Sequence, residues 1–573
     1  MQKYRWQILI ALLGLILIAG ILFLILRDGE QEISTPQPVS GGAFIEAEIG
    51  SCIRLNPLLD FNNQVDRDID ALLFSGLLKF NSSAIPQPDL AEGWAVSADS
   101  TLYTFYLREN ALWHDGQPVT ADDVIFTYSK FMDEDYSGPS YLKDFWSDIT
   151  ITKIDTNIVQ FGLPEPFAPF LDYLSIGLLP DHLLRGVSAS DLIDHPFNLN
   201  PIGTGPYKFD HFLIEENEIQ GISLVVNEDY YSEVPFLQRF EFYFFDNTEG
   251  AVNAVLTGEA QGLMGIELEY LQEILDAPSL NLHSAPVPSL YMVLFNLDHP
   301  KKTFLNEKVV RQAMMLALNR QHMIDEVFQG QAVPANSLFL DGTWAAMDPP
   351  SGWEFDPDEA NRLLDAEEWD LPAGAAQGTE EYVRGKEDQT LTFTLIHADD
   401  SQSQQIAEMI QLEWASIGIR IELNALSSEE MVSDYLEPRT YQAALVNYNF
   451  NNSPDPDPYP FWHDAELDTG QNYSNFSDRN ISIWLEQART TPDVLRRSAL
   501  YKRFLYRFND LLPGLPLFFP VESYVVDTTV QGITIGPLFD PSYRFHAVQE
   551  WYLVARNTIP EAVDSSAEEI IEP

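Results

Sequence analysis

Residues Ile8 to Leu26 form an unbroken run of 19 apolar or glycine positions. At about 1.5 Å rise per residue, a helix of that length reaches across the ~30 Å hydrocarbon core of a bilayer. Lys3 and Arg5 precede the run, whereas Asp28, Glu30 and Glu32 outnumber Arg27 after it. The positive-inside bias therefore leaves residues 1–7 in the cytoplasm and puts everything beyond the run outside the cell membrane, in an extracellular or periplasmic space. An uncleaved single-pass anchor over residues 8–26 is the expectation. A cleaved signal peptide is the competing reading, but its apolar core usually spans only about 7–15 residues, and no A-x-A site follows Leu26. Residues 27–41 carry Ser34, Thr35, Pro36, Pro38 and several charges without apolar periodicity, which reads as a linker. Residues 558–573 hold five acidic and no basic side chains, which reads as a solvated acidic tail.

The part between, about residues 42–557, is long enough for several domains around more than one core. Its composition is one-sided: 87 Asp and Glu against 32 Lys and Arg give a formal charge of −55, which repels a phosphate backbone and excludes nucleic acid as a partner. With 45% hydrophobic and 12% aromatic residues the chain is too apolar to be a disordered acidic segment. The single cysteine, Cys52, has no intrachain partner, and no Cys/His spacing suits a structural zinc. His114, His397 and His463 have no mutual spacing typical of a metal site, so neither metal nor cofactor is expected.

Local patterns give mixed α and β structure. Thr101–Leu107 alternates as a strand, and Thr120 with Asp123 forms a capping box for a helix whose Val124, Tyr128 and Phe131 share a face. Val310, Ala313, Met314, Ala317 and Leu318 mark a second amphipathic helix, and Asp356-Pro357 opens a third. Leu391–Ile396, then Ile406, Met409, Ile410 and Trp414 at helical spacing, then Ile419–Leu423 make a βαβ unit, followed by an apolar strand over Ala443–Tyr448.

Several stretches together resemble the extracellular solute-binding proteins of ABC transporters, in the family of oligopeptide, dipeptide and nickel binders (family 5). They include Pro88-Asp89-Leu90-Ala91-Glu92-Gly93-Trp94, Trp113-His114-Asp115-Gly116 through Val124, Gly203-Thr204-Gly205-Pro206-Tyr207, Val310-Arg311-Gln312-Ala313, Leu318-Asn319-Arg320 and Asp455-Pro456-Asp457. The resemblance implies an α/β, two-lobed periplasmic-binding-protein-like clamp of type II, in its large three-domain variant. Lobe 1 would comprise about 42–74, 199–297 and 521–557 with a subdomain inserted at 75–198, and lobe 2 about 298–520. It further implies a monomer without catalytic activity that captures a solute by lobe closure and delivers it to permease subunits.

The most unusual local sequence is Asn451-Asn452-Ser453-Pro454-Asp455-Pro456-Asp457-Pro458-Tyr459-Pro460-Phe461-Trp462. Its alternating prolines remove backbone donors and enforce extended dihedrals, so it is a stiff segment, either a rigid surface loop or a presenter of side chains. In the family this loop borders the ligand cleft, which makes Asn449, Asn452, Asp455, Asp457, Tyr459 and Trp462 the expected ligand-binding residues. Peptide binders of the family carry an aspartate where this chain has Asn452 and a tryptophan where it has Asn449, and some use an arginine in the loop corresponding to His397–Ser401, where none occurs here. Both terminal anchors of a zwitterionic peptide are therefore in question. A peptide-like solute ranks first, and an oligosaccharide or a cationic solute, suited by amides, carboxylates and flat rings, comes close behind. From other classes, a secreted glycoside hydrolase would use Asp455 and Asp457 as its carboxylate pair, and a tethered adhesion or chaperone module would make the loop incidental.

Overall fold

The computed structural model describes residues 38–346, 353–449 and 453–554. The apolar run 8–26, residues 1–7, most of the linker, Asn452 and the tail lie outside the described residues. Among the described residues no helix is long and apolar enough to cross a membrane.

One twelve-stranded mixed sheet organises the molecule. In its first half Ala43–Ile49 runs parallel to Arg239–Phe245 on one side and Gly262–Met264 on the other, and the hairpin Tyr207–Glu215/Glu218–Val226 extends the edge. Glu46 and Glu48, two apart in a strand, point to the same face and are both buried. A buried carboxylate needs a partner. Arg544, fully buried, supplies it, with ion pairs to Glu46 (3.0 Å), Glu48 (2.8 Å) and Asp68 (2.8 Å), while the Tyr524 hydroxyl donates to Glu46 (2.7 Å).

Ala91–Val96, Leu102–Leu107, Ile158–Gly162 and Thr150–Asp155 form a separate four-stranded antiparallel sheet. Thr120 caps the helix Ala121–Ser129 as the sequence predicts, with Asp123 returning the bond to the Thr120 amide at 2.8 Å.

The second half holds the βαβ unit. Thr392–Ala398 and Arg420–Leu426 lie parallel around the helix Ser401–Ser416, capped by Asp400, and Ala443–Asn449 runs parallel on the other side. Ala443–Asn449 pairs antiparallel with Ser289–Phe295, whose side chains from Leu290 on are all buried, as an unbroken apolar run requires of a central strand.

Two segments cross between the halves. Gly514–Asp527 pairs with Tyr291–Leu294 at its start and with Leu280–Pro286 at its end. The chain therefore changes half between Pro286 and Ser289. Pro286, Pro288 and Pro520 sit at the crossing and have no N–H to give the ladder. Three apolar cores form: one gathers Leu290, Trp369, Trp414 and Trp462 and reaches across to Ala84 and Phe539, a second Phe44, Trp146, Phe240 and Trp551, and a third Ala47, Val252, Leu263 and Val525.

Candidate functional site

Beside this crossing lies an open cleft of about 760 Å³ to which both halves contribute. The strand register puts Ser289 opposite Asn449 and Tyr291 opposite Asn447, so these four residues form one wall, with the Ser289 hydroxyl donating to Asn447 Oδ1 at 2.6 Å. Tyr291 and Phe328 (ring centroids 5.8 Å apart) form an aromatic floor, and Phe518, buried outside the cleft, packs against Tyr291 at 5.3 Å. The facing wall comes from the helix Gln64–Leu73 and from Ile266–Leu268.

Positive charge in the cleft is already committed. Arg67 pairs with Asp540 at 2.9 Å and donates to the carbonyls of Asp60 and Phe61 at 3.1 Å each, and Gln64 donates to Asp540 at 3.2 Å. Glu522, on the crossing strand, is held above the usual carboxylate range by burial and by Asp540 and Asp68, against the pull of Arg544. The cleft thus offers amides, hydroxyls and an aromatic floor, and its lone arginine is tied to an aspartate.

Of the residues predicted for the site, Asn449 lines this cleft and Asn452 lies outside the described residues. Asp455, Asp457, Tyr459 and Trp462 do not line it. The Asp455 carboxylate is buried and gripped by both terminal nitrogens of Arg497, Nη2 donating to Oδ1 at 2.9 Å and Nη1 to Oδ2. Asp457 pairs with Arg489 at 3.0 Å, and the same guanidinium lies 4.3 Å over the Tyr459 ring. Trp462 is 2% exposed and meets Phe508 edge-on at 4.7 Å within the core of the second half. Two arginines behind the loop therefore consume the carboxylates that the prolines present, and with them the pair on which a hydrolase reading rested.

The loop also contacts the segment that follows the four-stranded sheet. Asp172 accepts from the Ser453 hydroxyl and from the Asp455 amide (2.8 Å), and Arg489 also lies 5.2 Å over Phe167. Burial and the nearby Asp455 push the Asp172 carboxyl up to about 8.

The other motifs are structural. His114 accepts the Gly203 amide at Nδ1 (3.1 Å), which leaves Nε2 to donate to the Gly205 carbonyl (3.1 Å). A Cβ on Gly203 or Gly205 would collide with the carbonyls of Leu73 or Leu72, so glycine lets this turn press against the end of the helix Gln64–Leu73. Arg311 donates to the carbonyls of Leu305, Leu511 and Leu512, each at 2.7 Å, closing the C-terminus of Val494–Leu511. Among the described residues no group of three or more His, Cys, Asp or Glu side chains could hold a metal ion.

Comparison with known proteins gives the same frame. The family model for bacterial extracellular solute-binding proteins, family 5 middle, matches residues 86–469. Di/tripeptide-binding protein 1 of Pseudomonas aeruginosa (strain UCBPP-PA14) is 27% identical over 475 residues, 78% of this chain and 83% of that protein. The dipeptide-binding protein of Escherichia coli (strain K12) is 26% identical over 517 residues, 85% of this chain and 91% of that one. The solved structure of HbpA2 from Haemophilus parasuis shares the fold with a TM-score of 0.76 at 21% identity, covering 90% of this chain and 100% of that chain. With more than half of its length matched by the family model, the chain belongs to the bacterial extracellular solute-binding proteins of family 5.

Proposed function

We propose that this protein is the membrane-anchored capture component of an ABC importer, taking up a short peptide in the cleft beside the two crossing segments and presenting it to a permease. The observation that carries the reading is the cleft itself, built from Gln64, Ile266 and Leu268 on one side and Ser289, Tyr291 and Asn447 on the other, beside the two crossing segments. A ligand touching both walls binds the closed arrangement better than the open one, and that difference alone drives closure. The peptide class is supported by the relatives, which bind dipeptides and tripeptides. With Arg67 committed to Asp540, the peptide is held through its backbone amides by Asn447, Asn449 and Gln402 rather than by a charged clamp on its carboxylate. The anchor is supported by the apolar run 8–26.

A second reading, an oligosaccharide, is favoured by one feature: Gln64, Gln331, Gln402, Asn447 and Asn449 give the cleft five side-chain amides next to a flat aromatic floor. The test is a thermal-shift screen of the full-length chain in detergent with mixed dipeptides, mixed tripeptides and a panel of oligosaccharides. A ligand at 100 times its Kd adds about 2.7 kcal/mol of stability. Peptides raising Tm while sugars leave it unchanged support the first reading, and the reverse pattern supports the second. No shift with any of the three sets would remove the capture role assigned to this cleft.

A further inference from the structure

Four charged side chains line the cleft, Arg67 against Glu267, Asp540 and Glu522. Arg67 and Asp540 pair with each other, and Asp540 also accepts the Ser542 amide (3.0 Å) and hydroxyl (2.7 Å). Glu267 is exposed and accepts the Thr248 hydroxyl at 2.6 Å. Glu522 differs from both. Half-buried on the crossing strand Gly514–Asp527, it lines the cleft with a carboxylate that has no hydrogen bond or ion pair among the described residues.

The charges around Glu522 do not supply its missing partner. Arg544 attracts it but is already paired with Glu46, Glu48 and Asp68, while Asp540 and Asp68 repel it. Other acidic side chains near the cleft are satisfied within the fold. Asp400, whose charge reaches the Tyr291 hydroxyl, caps the helix Ser401–Ser416 through the Ser403 amide (2.8 Å), and Asp455 and Asp457 hold Arg497 and Arg489. A partly desolvated carboxylate without a counter-ion is costly to keep charged, and closure of the two walls on a solute would remove more of its water. A neutral solute then leaves it uncompensated, whereas a cationic one meets it with a charge-assisted hydrogen bond.

Resting on the capture role assigned to this cleft, we propose that Glu522 is its specificity-determining residue: it receives a primary ammonium group of the solute, and solutes without one are discriminated against. One free carboxylate is too few for a hard divalent ion, which takes six or more oxygens, and the described residues hold no metal-binding group of three. An ammonium is a compact charge whose three donors can be met by one carboxylate together with neighbouring amide and hydroxyl oxygens, which this cleft supplies. Burial and the repulsion of Asp540 and Asp68 hold the Glu522 carboxyl above its usual range, and a cation beside it favours the charged form. In a captured peptide the ammonium is either the amino terminus or a lysine side chain.

The experiment uses the full-length chain in detergent, as wild type, Glu522→Gln and Glu249→Gln. The last removes an equal charge from the exposed first turn of the helix Thr248–Thr257, outside the cleft lining. Calorimetry compares three matched pairs: Ala-Ala-Ala with its N-acetyl form, N-acetyl-Ala-Lys-Ala with N-acetyl-Ala-Leu-Ala, and the glucosamine trimer with the N-acetylglucosamine trimer. The wild type should bind the ammonium member of at least one pair about tenfold tighter or more, Glu522→Gln should reduce that preference below about threefold, and Glu249→Gln should keep it. A preference in the first pair assigns the amino terminus, and one in the second assigns a lysine side chain. No preference in any wild-type pair overturns the proposal whatever the variants do. So does a preference that survives in Glu522→Gln, or one lost equally in Glu249→Gln, which would trace it to the general acidic field. Peptides that bind without preference refute this proposal and leave the peptide reading standing, whereas a Glu522-dependent preference confined to the glucosamine pair refutes the peptide reading and leaves this one.

Discussion

His114 gives the sharpest energetic test of how the motifs are used. Its ring bridges the Gly203 amide and the Gly205 carbonyl, and it can do both only as the neutral tautomer protonated at Nε2. Burial is the main cause that lowers its pKa from 6.5 to about 4, with Lys208 lowering it further and the Gly205 bond and Asp115 opposing. Below pH 6.5 the unfolded chain takes up a proton at this ring while the folded molecule does not. The stability tied to the neutral ring is therefore fully present above pH 6.5 and is lost as pH falls through the window down to about 4. At about 1.4 kcal/mol for each pH unit crossed, the loss over that window is about 3 kcal/mol. His114→Gln keeps one donor and one acceptor but cannot titrate. At pH 7 it should cost about 1–2 kcal/mol for imperfect hydrogen bonds, and it should escape the acid loss entirely. Tm of the two proteins followed from pH 7.5 to 4 should therefore cross: wild type higher at neutral pH, variant higher near pH 4, with ~2–4 °C for each kcal/mol in a cooperative unit of 150–250 residues. Carboxylates elsewhere titrate in both proteins and cancel in the difference. A constant Tm gap over the whole range would refute the assignment of a buried neutral ring to His114.

Two other side chains separate packing from binding. Trp462→Ala should cost about 3–5 kcal/mol through the cavity left against Phe508, lowering Tm, while ligand affinity of the folded fraction stays within twofold of wild type; a tenfold affinity loss at unchanged Tm would return Trp462 to the ligand. Arg497→Met should cost about 3–5 kcal/mol in urea unfolding because it strands Asp455 as a buried unpaired charge, and the double variant with Asp455→Leu should recover most of that; a neutral single variant would mean that the pair is not desolvated.

The contrast between what is legible in the sequence and what is not follows distance along the chain. Thr120 with Asp123, Asp356 at the head of Pro357–Ala366, and the strands of the βαβ unit are set by neighbours within a few positions, and the structure keeps them. The prolines by themselves announce a stiff loop, yet the fate of its carboxylates is decided by Arg489 and Arg497 on later helices and by Asp172 far upstream. No spacing rule links those positions. The cleft has the same character: Gln64, Ser289, Gln402, Asn447 and Glu522 are scattered along the chain, and only the sheet order brings them to one place. Asn449, singled out in the sequence only by the family resemblance, lines the cleft because it ends a strand whose partner strand carries Ser289 and Tyr291.

Charge pairing inside the fold bears on what the −55 means at the surface. Arg311, Arg320, Arg384, Arg497 and Arg544 are all buried, so a sizeable share of the scarce basic side chains is withdrawn from the solvent face. Arg311 and Arg320 are spent largely on backbone carbonyls, and Arg544 neutralises only part of the Glu46, Glu48 and Asp68 group around it. Nine acidic side chains among the described residues, Glu46, Glu48, Asp66, Asp68, Asp70, Asp89, Asp123, Asp455 and Asp527, are buried as well, so the exposed surface stays about as one-sided as the bulk ratio of 32 basic to 87 acidic residues. Such a surface repels copies of itself and anionic polymers, and it draws cations toward any opening in it. The cleft opens beside two acidic side chains, Glu267 and Glu522. For a captured peptide this favours side chains carrying positive charge over those carrying negative charge, a bias whose strength should fall as salt screens the field with a Debye length of about 10 Å at 0.1 M. Affinity for a lysine-containing tripeptide should therefore drop more steeply between low and high salt than affinity for its leucine counterpart; equal slopes would confine the acidic surplus to solubility.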